Sequence, residues 1–239
     1  MANGPYNRYA APGRAIDRAQ YDEGLRAHME RVFGYMAAGV GVTGLVALLV
    51  ASSPTLLGAI FGTPLRWVVM LAPLGFVFFL SFRVHTISAA RAQALFWAFA
   101  AVMGLSLSFI FAVYTDASIA RVFFISSGMF AATALWGYTT KRDLSGMGSF
   151  LMMGLFGIII ASIVNIFMAS SALTFAISVI GVLVFTGLTA WDTQRIKETY
   201  AEGHGTESNN KMAVMGALSL YLNFINLFMM LLNLFGQRE

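Results

Sequence analysis

Asp192 closes a long apolar run, in the stretch Gly187-Leu-Thr-Ala-Trp-Asp-Thr-Gln-Arg-Ile-Lys197. An ionisable group at membrane depth is costly, so each one marks a candidate functional position. In a later apolar run Ser219, Asn223, Asn226 and Asn233 recur at spacings of 4, 3 and 7, which puts them on one face of a helix. A stripe of amides facing lipid is unfavourable, so this face should point inward. There it can line a polar pathway or join helices by hydrogen bonds. A third candidate is Arg83, at the end of another apolar run, where it can snorkel to the interface. Asp192 also has a local partner in Arg195, three residues on.

Other chemistry is poorly supplied. The chain has no cysteine, which removes disulfides, thiolate metal sites and a cysteine nucleophile. His28, His85 and His204 do not share ligand spacing, so no metal is implied. Gly104-Leu-Ser-Leu-Ser108 offers serines in a membrane segment, but a serine nucleophile needs a nearby base and the later spans contain no His or Lys. Lys211 lies too close to the start of the last span for a buried Schiff base. Neither an enzyme nor a cofactor is expected.

The elements that must position these residues are membrane helices. The 239-residue chain is 58% hydrophobic and 11% charged, whereas soluble domains carry about 25% charged residues. Seven stretches are long enough to cross a bilayer as helices: 32–53, 67–82, 92–115, 122–140, 146–168, 172–191 and 212–236. The reading is an all-α polytopic membrane protein, with the seventh helix central because of its asparagine face. The single membrane domain spans 32–236. Before it lies a tail, 1–31, with a disordered first part and an amphipathic lead-in from about residue 20, which either lies on the membrane surface or forms a solvated helix end. Residues 237–239 form the far end. Gly39, Gly41, Gly44, Gly154, Gly157, Gly181 and Gly187 are read as sites of close helix approach.

The basic residues report topology rather than nucleic-acid binding. Twelve of the 15 Lys and Arg fall in the tail and in the second, fourth and sixth connections. Arg66, Arg121 and Arg238 fall on the other side. The positive-inside rule then puts the N-terminus in the cytoplasm and the C-terminus outside.

Five stretches in this order resemble the Bax inhibitor-1 family of seven-helix membrane proteins, also called TMBIM proteins, which includes the YccA-like bacterial members. They are Leu80-Ser-Phe-Arg83, Gly104-Leu-Ser-Leu-Ser108, Gly137-Tyr-Thr-Thr-Lys-Arg-Asp-Leu-Ser145, the stretch around Asp192, and Ala217-Leu-Ser-Leu-Tyr-Leu-Asn-Phe-Ile-Asn-Leu-Phe228. The resemblance implies six helices around a central seventh, in a bacterial inner membrane. It also implies a pH-sensitive leak of Ca²⁺ or other cations, or binding to a membrane-anchored ATP-dependent protease. In the family an aspartate after the sixth span pairs with one in the seventh, and an arginine from the second span bridges to them. The first aspartate carries over to Asp192 and the arginine to Arg83, but the second aspartate falls on Asn223. An amide cannot share a proton with Asp192, so pH gating is expected to be weak or altered. The expected function is therefore a cation leak centred on Asp192, Asn223 and Arg83; the alternative is a non-conducting regulator of another membrane protein.

Overall fold

The computed structural model describes residues 12–83, 86–200 and 205–238. Among them there are eight α-helices and no strand: α1 (Pro12–Ala51), α2 (Pro54–Phe61), α3 (Leu65–Arg83), α4 (Ala89–Leu107), α5 (Asp116–Thr139), α6 (Ser145–Met168), α7 (Ser171–Thr199) and α8 (Gly205–Phe235). A 3-10 turn, Ser108–Ala112, extends α4. Six helices are long and apolar enough to cross a membrane, and the bent pair α2–α3 is together long and apolar enough for a seventh, as a broken span or a re-entrant loop.

The broken span is a departure from the expected connection at 54–66. Ser53 accepts a hydrogen bond from the Leu56 backbone N–H and Pro54 occupies the first turn, so a helix starts where a loop was expected. After Gly62 the chain turns by 82° into α3.

The lead-in on α1 is helical, as its spacing suggests, and one face of it packs on the bundle. The helix is continuous through residues 20–31 into the first span, for 40 residues in all. Leu25, Met29, Val32 and Met36 are buried along one face and join the core, so packing holds this segment against the bundle. At 1.5 Å per residue α1 is about 60 Å long, roughly twice the hydrocarbon thickness. Helices α7 and α8, of 29 and 31 residues, are also longer than a span needs. The extensions meet at one end of the bundle: Arg31 of α1 donates to Asn210 of α8, and the Ala89 N–H at the start of α4 donates to Glu207 (2.6 Å). At the opposite end the Thr115 N–H donates to the Gln237 carbonyl (3.0 Å), and the Gln237 N–H donates to the Ser118 hydroxyl (3.0 Å). The earliest expected tail residues, 1–11, and the terminal Glu239 lie outside the described residues, as do His85 and His204.

Helix α8 is the most deeply buried span, as its polar stripe suggests. The packing around it is less symmetrical than a ring of six. Helices α1, α4, α5 and α7 pack directly on α8, whereas α6 packs on α7 and α3 on α4. Tyr221 is fully buried, with Phe96 and Phe99 of α4 edge-on to its ring. Its hydroxyl lies 2.6 Å from that of Thr43 on α1, which donates to the Ala100 carbonyl on α4 (2.8 Å). In lipid, such association depends on close packing and interhelical hydrogen bonds rather than on water exclusion. Gly39 and Gly187 serve that approach, since a Cβ on either would stand 2.7 Å from a neighbouring side chain. Gly41, Gly44 and Gly157 face open space instead.

Candidate functional site between the last two helices

Along α7 the residues Val184, Phe185, Leu188, Thr189, Asp192 and Ile196 are buried at helical spacing. This periodicity turns the Asp192 carboxylate toward α8. Thr189 and Thr193 return their hydroxyls to carbonyls of their own helix, at 2.8 and 2.7 Å. A carboxylate cannot do that, because it only accepts, so its partners must come from outside the backbone of α7. Asp192 is 7% exposed and Asn223, on α8, is 6% exposed. The Asn223 Nδ2 donates to Asp192 Oδ2 at 2.8 Å. The other oxygen, Oδ1, faces Arg195 Nη2 at 3.7 Å. That guanidinium is half exposed and lies over the Trp191 ring, 5.0 Å from its centroid. Asp192 is thus a buried anion closed by an amide on one side and a snorkelling cation on the other.

Arg83 does not take the bridging position expected of it. It is exposed at the end of α3, and among the described residues the ion-pair partner of Asp192 is Arg195. The reason is architectural. Helix α3 packs on α2 and α4, not on α7 or α8, whereas Arg195 is one turn from Asp192 on the same helix.

The other residues of the α8 stripe diverge. Ser219 is partly buried one turn before Asn223. Asn226 donates to the Leu222 carbonyl of its own helix (2.8 Å). Asn233 is exposed at the far end and accepts from the Tyr114 hydroxyl (2.9 Å). Ten residues, or about 15 Å of helix, separate Asn223 from Asn233, and buried Phe224, Leu227, Phe228 and Leu231 occupy that interval. Phe123 and Phe130 of α5 meet Phe224 edge-on. In this conformation an apolar plug separates the two polar ends.

Sequence reasoning missed a clamp beside Asp192. Gln194 accepts from the Leu144 N–H and donates to the Arg142 carbonyl, both at 2.8 Å, fixing the α5–α6 loop to α7. Lys197 donates to the Tyr138 carbonyl at 2.9 Å and lies over its ring. A Cβ at Gly137 would stand 2.2 Å from the Ala190 carbonyl, and one at Gly148 as close to the Trp191 indole. These residues fall inside or beside the quoted stretches 137–145 and 187–197, which meet in space. Their pairing had no one-dimensional signal.

Comparison with known proteins supplies the family. Residues 25–239 match the family described as "Inhibitor of apoptosis-promoting Bax1". The chain belongs to the Bax inhibitor-1 family. It is 46% identical to a protein of Rickettsia prowazekii, covering 92% of this chain and 93% of the relative. It is 45% identical to the Escherichia coli inner membrane protein YbhL, over 90% and 94% of the two chains. A membrane protein of Streptococcus pyogenes is 34% identical, over 92% and 96%. Family membership and the apolar helices together make this an integral membrane protein.

Proposed function

We propose that this Bax inhibitor-1 family member is a cation leak pathway, with Ca²⁺ the first candidate, held shut at the Asp192–Asn223 contact between α7 and α8. The observation that carries the reading is a carboxylate, 7% exposed, closed by one amide and one guanidinium in a membrane helix. Calcium takes several oxygen ligands, and Asp192 with the Asn223 amide offers oxygens near the end of the bundle where α7 meets the α5–α6 loop. On this reading the cytoplasm lies on that side, because the tail and the even connections carry twelve of the fifteen basic residues.

The pH response should be weak. Two carboxylates within hydrogen-bond distance share a proton and titrate as a coupled pair, and an aspartate facing an amide has no such partner. Ca²⁺ entry into liposomes holding only the purified protein should be flat between about pH 6 and 8 for the wild type. Asn223→Asp should add a pH-dependent step, and adding Asp192→Asn should abolish it. A steep wild-type profile would reject Asp192 and Asn223 as the controlling pair.

The second reading is a regulator that binds another membrane protein, such as an ATP-dependent membrane protease, and conducts nothing. The apolar plug between Asn223 and Asn233 favours it. Absence of flux in every variant would select it.

A further inference from the structure

Helices α1 and α5 both pack on α8 but leave a crevice between them. Its first half, of about 470 Å³, lies between Phe33 and Val40 on α1 and Ser127, Ala131 and Tyr138 on α5, with Phe224 of α8 as the floor. A second half of about 440 Å³ shares Val40, Phe123 and Phe224 and runs on toward Asp116. Small side chains create the gap: Ala37 on one wall and Ser127, Ala131 and Ala134 on the other are too short to meet across it. The α5 side is open to the membrane, with Leu135 63% exposed. From Phe123 to Tyr138 the wall is about 23 Å long, about three-quarters of a hydrocarbon core about 30 Å thick.

The two mouths differ in charge. At the Tyr138 mouth the Lys197 ammonium lies 5.2 Å from the centre of the Tyr138 ring, and Arg26 lies two turns before Phe33 on the same face of α1. Lys141 and Arg142 follow directly after the end of α5. Glu30 pairs with Arg26 (2.9 Å) and offsets part of this charge, and Asp143 and Glu198 stand next to Arg142 and Lys197 in the chain. The opposite mouth presents Asp116. An apolar slot with Lys197 and Arg26 near one mouth suits an acyl chain that ends in an anionic group.

We propose that the α1–α5 crevice holds an acyl chain of an anionic phospholipid whose phosphate lies against Arg26 and Lys197. A partner helix is the competing occupant, and a crosslink from the crevice to a second polypeptide would reveal it. The headgroup contribution is of the order of a fivefold preference per basic residue.

The test uses the full chain, purified in detergent and offered equal amounts of phosphatidylglycerol and phosphatidylcholine, with retained lipid counted by mass spectrometry of the intact complex. The wild type should hold one phosphatidylglycerol in preference to phosphatidylcholine. Arg26→Gln, on an exposed site, and Lys197→Gln should each reduce that preference about fivefold. Ser127→Trp should expel the lipid by filling the slot. Because the chain has no cysteine, Ser127→Cys can carry a photo-crosslinker in native membranes, and it should label lipid. Unselective retention, selectivity unchanged in both charge variants, or a crosslink to a second polypeptide would overturn the proposal.

Discussion

At the scale of single residues, the account turns on how a buried carboxylate is satisfied. A hydrogen bond to a charged group contributes about 1.5–3 kcal/mol, while an exposed ion pair contributes about 0–1 kcal/mol. Asn223 should therefore matter more to Asp192 than Arg195 does, although only Arg195 carries charge. In thermal or denaturant unfolding of the detergent-solubilised protein, Asp192→Ala and Asn223→Ala should be coupled by about 1.5–3 kcal/mol. Arg195→Gln should cost about 1 kcal/mol or less. Arg83→Gln should be additive with Asp192→Ala, within about 0.5 kcal/mol; strong coupling between them would restore the bridging role that the family resemblance implies. Asp192 and Asn223 were legible because each is a polar residue at a fixed phase of an apolar helix. The mismatch at Arg83 was not, because its position depends on which helices neighbour α3, and no local pattern encodes that.

At the scale of elements, length and apolar periodicity revealed the spans, and the asparagine stripe revealed which helix is central. Two features stayed hidden. The broken α2–α3 span needs only a Ser-Pro start and a Gly stop, signals too short to outweigh an ordinary loop reading. The helical lead-in of α1 was legible in the spacing of Leu25, Met29 and Val32, but not their burial, which comes from tertiary packing. The close approach of α5 to α7 offers a direct check. A Cβ at Gly137 would meet the Ala190 backbone, which cannot rotate away. Gly137→Ala should destabilise by about 1–3 kcal/mol through overpacking, measured as a lower unfolding midpoint, whereas Gly41→Ala, with open space around it, should not. Equal effects would mean that α5 and α7 do not meet at this point.

At the scale of the whole molecule, the α1 extension and the C-terminal residues lie at opposite ends of the bundle, and the distribution of basic residues predicts that the α1 end is cytoplasmic. Single cysteines at residues 5 and 237 of the cysteine-free chain should differ in labelling by an impermeant thiol reagent applied to intact cells, with only 237 accessible. Equal accessibility would contradict an odd number of crossings. The same architecture places a polar contact at one end, an apolar plug in the middle and a second polar cluster at the other end. In the proposed function the Asp192–Asn223 contact keeps this path closed. The most direct measurement is Ca²⁺ entry into liposomes at fixed pH, comparing wild type with Asn223→Ala, which removes the interhelical bond while leaving the carboxylate. The account predicts a several-fold faster leak in the variant, reversed by Asn223→Gln if the longer amide still reaches Asp192; identical flux in wild type and Asn223→Ala would contradict it.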